Sequence, residues 1–213
     1  MITTNLSSLQ NNTAVIILAG GSSSRLGKPK QLLEYQTETL IKHAVKIAFT
    51  ISKTVIVVTG FLHEELKAEL ENLPVQFIRN LTWQEGMGSS IQTGIRHLQQ
   101  LENYDQIDAA FILLCDQPLI NSEHLNQLAA QFYRHKRSIA VTGYAQIQGV
   151  PAIFDKSLFS VLQDLPGNRG AQWIFKNHPD QLIIVPFEDA AIDIDTADDY
   201  VRLLKSVENQ PKI

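Results

Sequence analysis

The sequence predicts a single α/β domain with a mostly parallel sheet that becomes mixed in direction toward its edge. Three observations predict it. Apolar, β-branched runs of strand length recur along the chain. Helical patterns separate them. No internal repeat, low-complexity tract or Pro/Gly/Ser-rich linker divides the 213 residues.

Taken in order, Ala14 to Ala19 is a continuous apolar run, the pattern of a strand buried on both faces. Thr39 to Thr50 has helical periodicity, Thr54 to Thr59 is a second strand, and His63 to Glu71 is a charged helix. Val75 to Ile78 is a third strand and Ser89 to Leu101 a helix that tolerates Gly94. Ala109 to Leu114 is a fourth strand, followed by a helix from Ser122, its expected N-cap, to His135. Ile139–Thr142, Ala152–Phe154, Leu182–Val185 and Ala191–Ile194 read as strands, and Ala197 to Val207 as the closing helix. The domain is expected to span 13–207, with residues 1–12 and 208–213 as flexible termini. Ligands of such sheets sit outside the carboxyl ends of the strands, which directs attention to the residues after Ala19, Thr59, Ile78 and Leu114.

Composition narrows the function. Hydrophobic residues make up 44% and charged residues 19%, ordinary for a globular chain. A net charge of -4 argues against a nucleic-acid binder, so a polyanionic substrate would need a local cluster of cations. One cysteine, Cys115, allows neither a disulfide framework nor a multi-cysteine metal site. Residues 1–12 lack the pattern of a signal peptide, and no apolar run approaches the ~20 residues that span a bilayer. A reducing, cytoplasmic setting without membrane association is expected.

After the first strand comes Gly20-Gly21-Ser22-Ser23-Ser24-Arg25-Leu26-Gly27-Lys28-Pro29-Lys30. Adjacent glycines let the backbone turn sharply and bring its amides toward an anion. Arg25, Lys28 and Lys30 supply the positive charge a triphosphate needs. Neither the Walker A loop nor the dinucleotide fingerprint fits, since Pro29 follows Gly27-Lys28 and the glycines are wrongly spaced. The same composition also describes a surface loop with solvated cations.

The fourth strand ends in Leu114-Cys115-Asp116-Gln117-Pro118. A carboxylate there suits Mg²⁺, which takes few protein carboxylates beside water and phosphates; it is also ordinary turn chemistry. Near the C-terminus, Asp193-Ile194-Asp195-Thr196 precedes a helix that Asp195 or Thr196 could cap. On the expected strand, Asp193 and Asp195 would point to one face. Trp83-Gln84-Glu85-Gly86-Met87-Gly88-Ser89-Ser90 reads as a tight loop entering a helix N-terminus, which favours anions, or as simple serine capping.

These segments resemble the nucleotidyltransferases that act on molybdopterin, the guanylyl- and cytidylyltransferase-like proteins. Leu18-Ala19-Gly20-Gly21-Ser22-Ser23-Ser24-Arg25-Leu26-Gly27 with Lys30 is similar to their N-terminal signature, and Asp193 to Asp199 to their Ile-Asp-Thr-Pro-Glu-Asp segment, with Ala197 for the proline. The Gly86–Ser90 stretch and Asp116-Gln117-Pro118 resemble the cytidylyltransferase branch, whereas Gly20 is typical of the guanylyl branch. Gly149-Val150-Pro151 and Gly167-Asn168-Arg169-Gly170 resemble the part that receives the second substrate, with Asn168 in place of an Asp.

The resemblance spans Ala14 to about Leu204. It implies a Rossmann-like three-layer domain of the nucleotide-diphospho-sugar transferase type. It implies a nucleotide site of Leu18, Ala19, Gly20, Gly21, Arg25, Lys30, Gly88, Ser89 and Ser90, with Arg25, Lys30 and Asp116 catalytic. Mg²⁺ would sit on Asp116 and Asp195, with Asp193 a further candidate. Gln117, Pro118, Gly149, Pro151, Asn168, Arg169 and Gly170 would meet the second substrate. The implied reaction is transfer of CMP from CTP to the terminal phosphate of molybdopterin, the organic part of the molybdenum cofactor, with release of pyrophosphate. GTP as donor, another sugar- or alcohol-phosphate acceptor, and a non-catalytic chaperone that delivers the cofactor are the alternatives. A transient contact with a molybdoenzyme or its chaperone is also implied.

Overall fold

Three strands of this chain are buried almost from end to end because helices cover both of their faces. The computed structural model describes residues 11–23, 26–135 and 137–208. Of the expected flexible ends 1–12 and 208–213, residues 1–10 and 209–213 lie outside the described residues, as does the candidate Arg25. The chain runs β1 (Thr13–Ala19), a 3-10 turn (Lys30–Leu32), a two-stranded hairpin of β2 (Glu34–Tyr35) and β3 (Glu38–Thr39), then α1 (Leu40–Phe49). It continues through β4 (Thr54–Thr59), α2 (His63–Glu69), β5 (Gln76–Arg79), α3 (Met87–Leu98), β6 (Ala109–Leu114) and α4 (Ser122–His135). The last part is β7 (Ile139–Tyr144), β8 (Ile147–Asp155), α5 (Phe159–Gln163), α6 (Ala171–Asn177), β9 (Leu182–Pro186) and α7 (Ala197–Glu208).

The main sheet has seven strands in the order β5-β4-β1-β6-β8-β7-β9. β4, β1 and β6 pair in parallel at its centre. Only β8 runs against the others, between β6 and β7. The mixed part therefore begins inside the sheet, two strands before its edge.

Alternation along β1 divides the core, since successive side chains point to opposite faces. Val15, Ile17 and Ala19 face one cluster with Ile41 and Val45 of α1, Leu66 of α2, and Leu125 and Leu128 of α4. Ala14, Ile16 and Leu18 face another with Ile91 and Ile95 of α3, Leu162 of α5 and Phe175 of α6. The buried set of α1, Leu40, Ile41, Ala44, Val45 and Ala48, has the three- and four-residue spacing of one helix face. Among the described residues no helix is long and apolar enough to cross a membrane.

Four expected elements differ from the structure, and the β2–β3 hairpin and α5 were not among those expected. Ala191–Ile194 is not a strand: Glu188–Ala191 forms a 3-10 turn and the following residues are irregular. Ile194 N–H donates to the carbonyl of Asp116 at 3.0 Å, so this segment crosses the end of β6 rather than running beside it. Asp193 and Asp195 consequently do not share a sheet face by strand alternation. β8 starts at Ile147, five residues before the expected strand, after a tight turn with Ala145 and Gln146 in left-handed backbone (φ 45° and 61°). Neither residue carries the glycine or asparagine signal of such turns. α3 begins at Met87, so Ser89 and Ser90 lie within its first turn and do not cap it. At α4 the cap is Asn121, whose Oδ1 accepts from His124 N–H at 2.9 Å, and Ser122 is the first helical residue.

Candidate active site

The parallel strands β1, β4 and β6 end side by side, and the residues that follow β1 and β6, with the segment from Trp83 to Ser90, build a cleft. It has a volume of about 330 Å³ and is lined by Leu18 to Ser22, Lys30, Gln31, Trp83, Gln84, Gly86, Met87, Ser90 and Leu114 to Asp116. Of the expected nucleotide-site residues, Leu18, Ala19, Gly20, Gly21, Lys30 and Ser90 line it.

The loop after β1 is held by its own neighbours. Gln31 is buried, and its amide donates to the carbonyls of Gly21 at 2.7 Å and Ala19 at 3.3 Å. Ser23, in left-handed backbone (φ 55°), donates to Gln31 Oε1 at 3.1 Å and accepts from Lys30 N–H at 3.0 Å. Across the sheet, Phe61 N–H donates to Gly20 O at 3.3 Å. A Cβ on Gly60 would lie 2.4 Å from that oxygen, so only glycine fits where β4 meets the loop. Sequence reasoning missed Gln31, Ser23 and Gly60. The signal for Gln31 was a polar residue beside Leu32 and Leu33; for Gly60, a glycine directly after a strand.

Lys30 sits at the centre of the polar end. Its Nζ donates to Asp116 Oδ2 and, at 3.1 Å, to Asp195 Oδ1. Burial disfavours the ammonium, but the Asp116 carboxylate and the bonds to Asp116 and Asp195 outweigh it and hold Lys30 above the usual lysine range. Asp116 is buried, and its second oxygen, Oδ1, has no hydrogen-bond partner. Such an orphaned buried oxygen carries a desolvation cost unless a donor or cation reaches it. Asp193 is exposed; partial desolvation, then Asp195 and Asp116, push its carboxyl above the ordinary range. Three carboxylates thus face one described ammonium. Among the described residues no three His, Cys, Asp or Glu side chains form a metal cage. Mg²⁺ with phosphates and water asks for only one or two carboxylates, and that is the donor set offered by Asp116 and Asp195.

Two local devices fix this cluster. The bond from Ile194 N–H to Asp116 O ties the acids of the C-terminal segment to the end of β6. Thr196 and Asp199 form a reciprocal cap: Asp199 Oδ2 accepts from Thr196 N–H at 2.8 Å, and Thr196 Oγ1 accepts from Asp199 N–H at 3.2 Å. Cys115 is buried beside Asp116, and its thiol is pushed up to about 12 by burial and then by that carboxylate, so it stays protonated.

Several expected site residues also have packing or hydrogen-bond partners within the chain. Ser89 donates to the carbonyls of Gly86 at 2.8 Å and Thr82 at 3.0 Å, and accepts from the buried Asn80 at 2.8 Å. A Cβ on Gly88 would lie 2.2 Å from Pro166 O and 2.5 Å from Arg169 O, so Gly88 is where α3 presses on the 166–169 loop. Gln117 is buried, with its amide donating to Val150 O at 3.1 Å and Ala190 O at 2.9 Å. Pro118 is buried and offers its carbonyl to His43 Nε2 at 3.1 Å. Pro151 is buried and accepts from Thr142 Oγ1 at 2.6 Å. Arg169 is exposed.

A second pocket of about 390 Å³ adjoins the cleft and shares Met87 and Leu114 with it. Gly149, Asn168 and Gly170 of the expected second-substrate set line it, with Tyr144, Val150, Ala171, Gln172 and Phe175.

This arrangement has relatives. A protein of Bacillus mycoides strain KBAB4 named "Probable molybdenum cofactor guanylyltransferase" is 24% identical over 207 residues, covering 92% of this chain and 98% of that protein. A protein of the same name from Bacillus anthracis is 26% identical over 210 residues, covering 92% and 98%. The crystal structure of an Rv0371c homologue from Mycobacterium sp. strain JC1 superposes with a TM-score of 0.77 at 28% identity, covering 94% of this chain and 98% of that one. Molybdopterin-guanine dinucleotide biosynthesis protein A from Archaeoglobus fulgidus shares the fold, with a TM-score of 0.69 at 18% identity over 92% of this chain and 100% of that one. The family model of the MobA-like NTP transferase domain matches residues 15–182. The chain belongs to this MobA-like NTP transferase family and is a nucleotidyltransferase.

Proposed function

We propose that this chain transfers a nucleoside monophosphate from a triphosphate to the terminal phosphate of molybdopterin, and that GTP is the donor it prefers. The observation that carries the reading is Lys30 held between Asp116 and Asp195 at the mouth of a cleft on the carboxyl ends of β1 and β6.

The triphosphate lies along the Gly20–Gly21 backbone, with Lys30 and Arg25 against its phosphates. The acceptor phosphate enters from the second pocket. One of its oxygens attacks the α-phosphorus, a new P–O bond forms, and the bond to the β-phosphate breaks to release pyrophosphate. The nucleophile belongs to the substrate, so the protein's part is alignment and charge stabilisation. Asp116 and Asp195 would hold Mg²⁺, which would offset the repulsion between their carboxylates and the triphosphate. A structural relative, Rv0371c of Mycobacterium tuberculosis, was crystallised with manganese. The cytoplasm, where nucleoside triphosphates and a reducing milieu coexist, is the proposed setting.

The sequence favoured CTP through Gly86–Ser90 and Asp116-Gln117-Pro118. In this molecule Gly88, Ser89 and Gln117 are engaged in packing and in bonds to backbone carbonyls, so their likeness to the cytidylyl branch says little about a base. Gly20 lines the cleft, and a Cβ there would crowd Ser90 Oγ at 3.1 Å. With the names of the Bacillus relatives, this supports guanine. Purified protein with molybdopterin, Mg²⁺ and equal GTP and CTP should yield mainly the guanine dinucleotide by mass spectrometry. Mainly cytosine dinucleotide would overturn the base assignment, and no dinucleotide with any triphosphate would overturn the acceptor.

A further inference from the structure

The second pocket contains one hydroxyl that the sequence reading did not single out. Tyr144 ends β7 beside the tight turn at Ala145 and Gln146. Its ring lies across Gly149, its diagonal neighbour on β8: a Cβ on Gly149 would come within 2.3 Å of Tyr144 Oη and 2.7 Å of Cε1 and Cζ. The glycine of the Gly-x-Pro segment therefore makes room for this phenol.

The location of the ring matters for chemistry. Tyr144 lines the pocket that joins the nucleotide cleft at Met87 and Leu114. Its phenol also lies within electrostatic reach of the Asp116 and Asp193 carboxylates and beside the Gln117 side chain. An acceptor phosphate that reaches the α-phosphorus must pass this junction, and the carboxylates repel it there. A lysine at the same place would be drawn into ion pairs with the acids, as Lys30 is. A phenol supplies a hydrogen bond without a formal charge that would pair with the acids. Beyond it the pocket has apolar walls at Val150 and Phe175 and two side-chain amides, Asn168 and Gln172, which suit a flat heterocycle with a polar edge.

We infer that Tyr144 binds the acceptor, its hydroxyl donating to a non-attacking oxygen of the acceptor's phosphate ester where the two pockets meet. The inference rests on the proposed transfer to a phosphorylated acceptor. It assigns to Tyr144 a role at the second substrate and none at the triphosphate.

The test is Tyr144→Phe, which removes one oxygen and leaves the ring over Gly149. Acceptor kinetics are measured at saturating triphosphate, and triphosphate affinity is measured separately by titration without acceptor. A charge-assisted hydrogen bond of ordinary strength predicts an acceptor kcat/KM lowered by about tenfold or more, mostly in KM. Triphosphate Kd should stay within about twofold of wild type, since ~0.4 kcal/mol is the most an untouched site should shift. Acceptor kcat/KM within twofold of wild type overturns the assignment, as does equal weakening toward both substrates, which marks a structural role. A wild-type protein that makes no dinucleotide overturns the functional reading itself and this assignment with it.

Discussion

The cleft over β1 and β6 and the pocket beside the β7–β8 hairpin are adjacent, yet they are held by different physics. The first is ionic. Lys30 bridges Asp116 and Asp195, and the loop that would face phosphates is stapled by Gln31 from ten residues away in sequence. The second is neutral. Thr142 Oγ1 donates to Pro151 O at 2.6 Å, which leaves it to accept from His124 Nε2 at 2.8 Å, and His124 stacks on Phe187 with centroids 4.3 Å apart. The cleft is built from charges, whereas the strands behind the second pocket are held by uncharged groups that leave the ionic balance untouched. The sharpest way to test that contrast is to perturb each region by its own physics.

The largest effect is expected at the ionic end. Asp116→Asn removes one charge and no volume, and Lys30 keeps Asp195 at 3.1 Å, so the fold should persist while turnover falls. Loss of one charge-stabilising group predicts about 10²–10³ in kcat. Lys30→Ala should lose a similar factor and also melt earlier, because it leaves a buried carboxylate unpaired. Steady-state kinetics at saturating Mg²⁺ with a melting curve for each variant decide it. Normal turnover by Asp116→Asn would mean the chemistry lies elsewhere.

The neutral region should answer to pH instead. His124 is buried, its Nδ1 has no partner, and burial lowers its pKa from 6.5 to about 4. Between those values the unfolded chain binds a proton that the folded chain refuses. Its contribution is therefore complete above pH 6.5 and is lost as pH falls toward 4, by about 3 kcal/mol in all. The difference in unfolding free energy between wild type and His124→Gln should shrink across that window. A difference independent of pH would show that His124 protonates in place.

These regions were unequally legible in the sequence. Gly20, Gly21, Asp116 and Asp195 could be placed because each lies within two residues of a strand end or a helix start, and short-range rules put such residues at a sheet's carboxyl edge. Tyr144, Gly60 and Gln31 could not, since each matters through contacts with residues that periodicity does not identify: Gly149, the carbonyl of Gly20, and the carbonyls of Gly21 and Ala19 with Ser23. The strand expected at Ala191–Ile194 failed for the same reason. Its residues alternate in polarity, but Ile192 is 42% exposed while Ile194 is fully buried in a small cluster with Tyr35, Leu40 and Leu203. One long-range bond to Asp116 O, invisible to local pattern, decides its path.

A third experiment strikes the contact the regions share. Gly88→Ala places a Cβ against the backbone oxygens of Pro166 and Arg169, which cannot rotate away as a side-chain tip could. Overpacking of this kind costs about 1–3 kcal/mol, and about 2–4 °C of Tm per kcal/mol is expected at this size. Because Met87, beside it, lines both pockets, KM should rise for donor and acceptor together. An unshifted Tm would show that the 166–169 loop yields freely and is no fixed wall.

The smallest effect, and the most selective, is expected at Gln31. Its amide donates to Gly21 O at 2.7 Å and its carbonyl accepts from Ser23 at 3.1 Å, so it holds the loop in one shape before any ligand arrives. Gln31→Met keeps the volume and removes these bonds together with the longer one to Ala19 O at 3.3 Å. Gly21 is exposed, so water can take over its carbonyl, and the fold loses little. The loop must then be ordered when the triphosphate binds, a cost that the wild type meets on folding. Net hydrogen bonds of about 1 kcal/mol predict a roughly fivefold rise in the KM for triphosphate. The acceptor KM and the kcat at saturation should stay within about twofold, because ordering the loop is complete once the donor is bound. A loss of kcat with unchanged KM would mean that Gln31 acts in the transition state, through Lys30 next to it, rather than on the shape of the empty loop.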